Sequence, residues 1–346
     1  MCLPLSTLAA NAAVKYNQAT NQTLVLPLLI FFPTARCNSR CVSCDWWRSD
    51  GATDLTRDEI RGLVSQLSAL HTRLVLFSGG EPLLRPEVFE IADLFRAQGL
   101  KLHLLTSGLL LQKFAEPVAS RFEQVTISLD GHTAPLYELI RGVNALALVE
   151  RGVAKLQDLA PGLAIRARST LHRYNFTDLP NLIDKAHAMG LKQISFLSAD
   201  VTSEAFGRRN ESSARGLLLD EDQVGQFEQV VEDTIRTHRH DFETGFIAES
   251  PEKLRRLPRY YAAQLGIGEF PPVACNAPWM SVVVEADGNV RPCYFHPAVG
   301  NVRAKSLSAI LRDEMVVFRR GLNVAENKVC RKCVCTLKTG LRSRVW

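Results

Sequence analysis

Between residues 24 and 200 the hydrophobic pattern switches repeatedly between two periods. Short apolar runs at 24–32, 74–77, 101–105, 125–129, 163–170 and 193–197 read as strands. The first is continuous rather than alternating, as in a strand buried on both faces. Between these runs apolar residues recur at helical spacing. Ile60, Leu63, Val64 and Leu67 share one face behind Thr56-Arg57-Asp58-Glu59, a capping box. Pro86 opens the next helix, which turns Val88, Ile91, Ala92 and Phe95 inward and stops at Gly99. Leu146, Val149, Val153 and Leu156 mark another. Leu179, Leu182, Ile183 and Ala186 mark one more, ended by Gly190.

Six such alternating units predict an α/β fold with a parallel sheet and right-handed crossovers. Periodicity alone leaves open a doubly wound sheet or a partial barrel. In both, the loops that carry chemistry follow the strand C-termini. Residues 200–216 are polar and read as a loop. Asp220 caps a helix with Val224, Phe227, Val231 and Ile235 on one face, and 252–264 holds a short helix. A different pattern begins near 273. Residues 282–284 and 290–293, joined at Asp287-Gly288, read as a hairpin. A helix over 307–318 and a Cys-rich end follow. The expected division is an α/β domain at 24–215, a helical linker or extension at 216–272, and a small module at 273–346.

The 346 residues include 41 basic and 36 acidic side chains, and the net charge of +5 is scattered. No basic block marks a nucleic-acid or membrane surface. The start, Met1-Cys2-Leu3-Pro4-Leu5, lacks the basic region of a signal peptide, and the apolar run near 24–33 is too short to span a bilayer. A cytoplasmic protein is expected. Eight of the nine Cys fall in two groups, 37–44 and 275–335, which at this length suggests metal rather than disulfides.

The first group is Cys37-Asn-Ser-Arg-Cys41-Val-Ser-Cys44, just after the first strand. Three thiolates this close can hold three irons of a 4Fe–4S cluster and leave the fourth open to a ligand. Zinc would need a fourth donor, and the nearest His, His71, lies beyond a helix. Ser78-Gly79-Gly80-Glu81-Pro82 follows the second strand, Thr106-Ser107-Gly108 the third and Ser128-Leu129-Asp130-Gly131 ends the fourth.

Together these residues resemble the radical S-adenosylmethionine (SAM) superfamily. The resemblance implies a (β/α)6 partial TIM barrel. It implies that Cys37, Cys41 and Cys44 hold a 4Fe–4S cluster whose open iron is chelated by SAM. An electron from an external donor such as flavodoxin or ferredoxin would cleave SAM to a 5′-deoxyadenosyl radical. Gly79 and Gly80 would let backbone approach SAM, and Glu81 would accept hydrogen bonds from its ammonium, directly or through backbone and water. Ser128 and Asp130 would meet its ribose and carboxylate. Arg166 and Arg168 share one face of the fifth strand, and Arg168 is the candidate for the SAM carboxylate or a substrate anion. Ser43 stands where the family often has an aromatic residue; Trp46 and Trp47 offer stacking on adenine instead, or pack the loop. Tyr137-Glu138 before Arg141-Gly142 also resembles a motif of the subgroup.

The C-terminal spacing Cys275-x12-Gly288-x4-Cys293, followed by Cys330-x2-Cys333, resembles SPASM and twitch domains. Two auxiliary clusters would need eight ligands, and five Cys are present. The expectation is one auxiliary 4Fe–4S cluster on Cys275, Cys293, Cys330 and Cys333, with Cys335 spare or exchanging with one of them; structural zinc is the alternative. The implied activity is a radical SAM oxidoreductase acting on a small polar, sugar- or cyclitol-like molecule, with the auxiliary cluster assisting oxidation. The alternatives are a peptide-modifying enzyme, an epimerase using Cys335 as hydrogen donor, and a non-enzymatic metal-binding scaffold. His172 and Tyr174, after the fifth strand, are placed equally well in a loop or facing the site.

Overall fold

The computed structural model describes residues 5–208 and 215–341; Cys2 lies outside them. Six strands, β1 (Leu28–Phe31), β2 (Leu74–Phe77), β3 (Lys101–Thr106), β4 (Gln124–Ser128), β5 (Ala164–Leu171) and β6 (Gln193–Ser198), pair parallel with their sequence neighbours. The sheet continues through β7 (Ser281–Val284), β8 (Asn289–Arg291) and β9 (Gly300–Asn301) in the order β6-β5-β4-β3-β2-β1-β7-β8-β9. β7 runs parallel to β1, while β8 and β9 form antiparallel pairs. β6 and β1 do not meet, so the barrel is partial. The predicted C-terminal hairpin therefore belongs to the same sheet as the barrel.

β1 is shorter than its apolar run. Pro27 has no N–H to give a ladder, and its carbonyl instead accepts from the N–H groups of Arg73 and Leu74, both at 3.1 Å. The preceding residues are held by Asn17, on a helix at Leu5–Thr20 that the periodicity did not mark. Asn17 Nδ2 donates to the carbonyls of Val25 (2.7 Å) and Trp279 (2.8 Å), and its Oδ1 accepts from Leu24 N (2.7 Å). The expected helices stand at Arg57–Val64, Val88–Arg96, Leu146–Leu159, Leu179–Ala188 and Glu221–Thr237, with the first and last closed by capping boxes. The single helix expected over 307–318 is two, Leu307–Arg312 and Glu314–Arg320, broken at Asp313.

Alternation along the strands separates two environments. Leu29, Phe31, Val75, Phe77, Leu102, Leu104, Val125 and Ile127 pack outward under the helices in the main core. Leu28, Ile30, Phe32, Leu74 and Val283 pack into the lumen with Trp46, Leu76 and Tyr294. That side of the lumen is apolar. The side built by β4, β5 and β6 is polar, because Ser128, Arg166, Arg168, Thr170 and Ser195 alternate with outward-facing apolar residues. The outer edge of β6 is covered: Ile194 bonds both Phe246 O and Ala248 N, and Glu249 Oε2 accepts from Phe196 N at 2.9 Å. Among the described residues no helix is long and apolar enough to cross a membrane.

Candidate active site

A cavity of about 1080 Å³, partly open to solvent, lies over the strand C-termini. Cys37, Cys41 and Cys44 line one wall. Their loop is fastened on two sides. The N–H groups of Arg40 and Val42 donate to the carbonyls of Arg141 (2.8 Å) and Ile140 (3.0 Å), at the end of a helix at Ala134–Arg141. Gly142 follows with φ +68, and a Cβ there would lie 2.5 Å from Arg40 O. The Arg141-Gly142 motif thus supports the Cys loop. On the other side Phe206, at φ +64, turns its carbonyl to accept from Asp45 N (2.9 Å) and Cys44 Sγ (3.4 Å). Arg208 Nη2 donates to Ser43 O at 3.2 Å, while its Nη1 pairs with buried Asp200 at 3.2 Å.

Gly79 and Gly80 line the cavity, but their lack of side chains serves the protein's own packing. A Cβ at Gly80 would lie 2.1 Å from Arg36 O, and one at Gly79, φ +108, would lie 2.8 Å from Phe32 Cβ and 2.9 Å from Thr34 O. The glycines let the loop after β2 press against the loop after β1. Glu81 is fully buried, and its carboxylate is taken up by donors of the protein itself. It accepts from Leu83 N (3.1 Å), Thr106 Oγ1 (2.8 Å), Ser107 N (2.7 Å) and Ser107 Oγ (2.7 Å). Burial raises its pKa against those bonds. Thr106 and Ser107, which it holds, do line the cavity.

Ser128, Asp130 and Arg168 all reach the cavity wall. Both oxygens of Asp130 are engaged: Oδ2 pairs with Arg141 Nη1 at 3.0 Å, and Oδ1 accepts from Thr170 N at 2.7 Å. Arg168 Nε donates to Ser195 Oγ at 3.2 Å. Trp46 lines the cavity, its ring 5.9 Å from that of Phe32. Trp47 does not; its Nε1 donates to Cys44 O at 2.9 Å and its ring lies under Arg48. His172 is buried in the turn after β5, where Asn175 Oδ1 accepts its N–H at 2.8 Å, so its role is in the loop.

Cys275, Cys293, Cys330, Cys333 and Cys335 all line a second cavity of about 630 Å³ in the C-terminal module. Cys335, Tyr294 and Phe295 line both cavities and form the wall between them. Asn276 anchors the tail that carries Cys335: its N–H donates to Leu337 O at 2.8 Å and its Nδ2 to Thr339 O at 2.9 Å. Burial pushes the thiols up, Cys37 and Cys330 to about 11 and Cys293 to about 12. Such thiols stay protonated at neutral pH unless a cation holds the thiolate, which a metal does.

Residues 31–186 match the Radical SAM superfamily, and residues 275–334 match SPASM, an iron-sulfur cluster-binding domain. The chain belongs to the radical SAM superfamily. It is 25% identical over 340 residues to an Fe-coproporphyrin III synthase of Methanosarcina barkeri, covering 89% of this chain and 80% of that one. It is 25% identical over 285 residues to a PqqA peptide cyclase of Rhodopseudomonas palustris, covering 79% and 68%. A crystal structure of Streptococcus suis SuiB bound to precursor peptide SuiA aligns at TM-score 0.66 and 15% identity, over 94% of this chain and 75% of that one, which shows the shared fold.

For a radical SAM enzyme the two thiol groups fit the iron–sulfur clusters, and the larger cavity opens beside the triplet. Among the described residues no three His, Cys, Asp or Glu side chains are gathered around a single ion position. Sequence reasoning missed the Phe206–Arg208 support and the Tyr294–Phe295 wall. The first sits in a polar stretch with no periodic signal. The second was available, because both aromatics directly follow Cys293.

Proposed function

We propose that this radical SAM enzyme acts on a peptide, and that a single auxiliary cluster accepts the electron released when the substrate is oxidised. The observation that carries this reading is the cavity wall. Trp46, Leu105, Leu197, Phe206, Tyr294 and Phe295 make one part of it apolar and aromatic, beside a polar part that carries Ser128, Arg168 and Thr170. A cyclitol or sugar presents hydroxyls on every side and would leave those that meet the apolar part unpaired. A peptide segment offers both apolar side chains and backbone groups. The PqqA peptide cyclase and peptide-bound SuiB support the same choice over the sugar-like substrate first expected. The Fe-coproporphyrin III synthase keeps a tetrapyrrole as the second reading.

When bound, cluster and SAM supply a hydrogen-abstracting radical. The protein's own residues do the rest. Cys37, Cys41 and Cys44 ligate the first cluster. The backbone at Gly79, Gly80 and Ser107, set by Glu81, together with Ser128, receives SAM. Asp130 and Arg141 hold the Cys loop against β5. Cys275, Cys293, Cys330 and Cys333 ligate the auxiliary cluster, and an external flavodoxin or ferredoxin delivers the starting electron. Residues 24–215 and 273–346 act as catalytic and auxiliary modules built on one sheet.

The test is anaerobic reconstitution of the full-length protein and of a Cys37→Ala/Cys41→Ala/Cys44→Ala variant. The variant is expected to lose about four irons per molecule, to keep a residual iron–sulfur spectrum, and to form no 5′-deoxyadenosine. SAM cleavage by the triple variant would refute the ligand assignment. Stimulation of cleavage by cyclitols, with none by candidate precursor peptides, would refute the peptide reading.

A further inference from the structure

The barrel lumen holds two guanidiniums that the roles above leave unused. Arg166 and Arg168 stand two residues apart on β5 and point into the lumen, while Ile165, Ala167 and Ser169 are buried on the opposite face. In register, Arg168 lies between Ser128 of β4 and Ser195 of β6. It lines the cavity, its Nε donates to Ser195 Oγ, and no salt bridge reaches it among the described residues. Arg166 lies one layer deeper, with a buried Nε that has no partner. Burial, and then the Arg166 charge, push the neighbouring His103 down to about 4, so that ring supplies no compensating group. Arg166 is half-buried, whereas Arg168 is exposed and so stands open to an anion entering the cavity.

The cavity's other guanidinium is already engaged, since Arg141 pairs with Asp130. The two arginines also stand on different elements: Arg141 ends the helix that holds the Cys loop, whereas Arg168 lies on β5 between β4 and β6. Glu249, the acid on the Arg168 side, is turned to the strand edge, where it accepts from Phe196 N at 2.9 Å; burial raises its pKa, and Lys253 faces it from the next helix. In register Arg168 stands between Ser128, on the SAM side, and Ser195, so a substrate anion lying next to SAM falls beside its guanidinium, and SAM affinity in the variants below separates the two carboxylates.

We propose that Arg168 is a specificity residue that receives a carboxylate of the substrate. It would hold the reacting segment between the triplet wall and the Cys335 wall. The planar fork of a guanidinium suits a carboxylate bound through two parallel hydrogen bonds. This inference rests on the peptide reading only for the source of the carboxylate, an Asp or Glu side chain or the terminal carboxylate of the peptide; a tetrapyrrole propionate offers the same chemistry.

The experiment uses the anaerobically reconstituted full-length protein with SAM, alongside Arg168→Ala, Arg168→Gln and Arg168→Lys. The probes are acetyl-Gly-Glu-Gly-amide, its Gln counterpart and iron-coproporphyrin III. Peptide binding is read as paramagnetic broadening of probe resonances by the clusters, and porphyrin binding by absorbance. SAM affinity is measured by titration. The expected result is a preference for the Glu over the Gln peptide that falls about tenfold or more in Arg168→Ala and Arg168→Gln and partly returns in Arg168→Lys. SAM affinity should be unchanged in all three. The Gln variant keeps the side-chain bulk if the Ala variant assembles poorly. Loss of SAM affinity in Arg168→Gln would overturn the proposal, since the guanidinium would then serve the SAM carboxylate. So would the absence of any Arg168-dependent binding of either acidic probe. Arg168-dependent binding of iron-coproporphyrin without discrimination between the peptides would uphold the carboxylate subsite and overturn the peptide reading.

Discussion

Glu81 accepts from four donors and touches no open space, so its carboxylate shapes the cavity from behind. Glu81→Gln would turn an amide N–H toward those donors. A stability loss of roughly 1–3 kcal/mol is expected from the unsatisfied buried groups. Displacement of Ser107 should also weaken SAM binding while iron content stays normal. Thermal melting and SAM titration of the variant check this. Weakened SAM binding at unchanged melting temperature would instead mean that the carboxylate meets SAM directly. The Gly-Gly-Glu run was legible as a strand-end loop. The direction of its carboxylate was not, because Thr106 and Ser107 lie about 25 residues further along the sequence.

At the scale of elements, the Cys loop depends on a helix end nearly a hundred residues away. Gly142 occupies left-handed backbone and lies against Arg40 O. Gly142→Ala costs about 1 kcal/mol for the backbone conformation alone, and the clash would also push the 37–44 loop off Arg141 and Ile140. We expect lower iron occupancy at the SAM-cluster site and a lower melting temperature, with the auxiliary cluster retained. Normal iron loading in this variant would show that the helix end is not what holds the loop. The barrel strands were legible in place and order, with β1 alone much shorter than its apolar run, because continuous or alternating apolar runs have one way to face a two-sided core. The Ala134–Arg141 helix was not resolved by periodicity: its buried residues, Tyr137 and Ile140, are too few to set a face.

Over the whole molecule, two contacts tie the ends of the polypeptide to the site. Asn17 bridges Leu24, Val25 and Trp279 with no exposure to solvent. Asn17→Ala should cost roughly 2–4 kcal/mol by leaving buried backbone groups unpaired. Chemical denaturation would measure that, and a cost below about 0.5 kcal/mol would show the N-terminal helix to be an ornament on the fold. Cys335 is the second tie, since it lines both the auxiliary cavity and the catalytic one. Cys335→Ala is expected to keep the auxiliary cluster and product formation, whereas Cys275→Ala should lose product yet retain some SAM cleavage. If Cys335→Ala abstracts hydrogen with both clusters intact but forms no product, the thiol is a hydrogen donor and the reaction an epimerisation.

The sequence by itself determined the strands, the main capped helices, the three-Cys loop and the count of C-terminal thiols. Each is a local matter of spacing: period in a strand, side chains at a cap, thiols a few residues apart. Only the tertiary structure decided that the C-terminal hairpin extends the barrel sheet beside β1, that Glu81 is buried against Thr106 and Ser107 while Arg168 lines the cavity, and that Cys335 stands between the two cavities. Those outcomes depend on contacts between residues tens to hundreds of positions apart, whose register no local pattern encodes. Burial then selects which polar groups are satisfied within the fold and which remain turned toward a ligand.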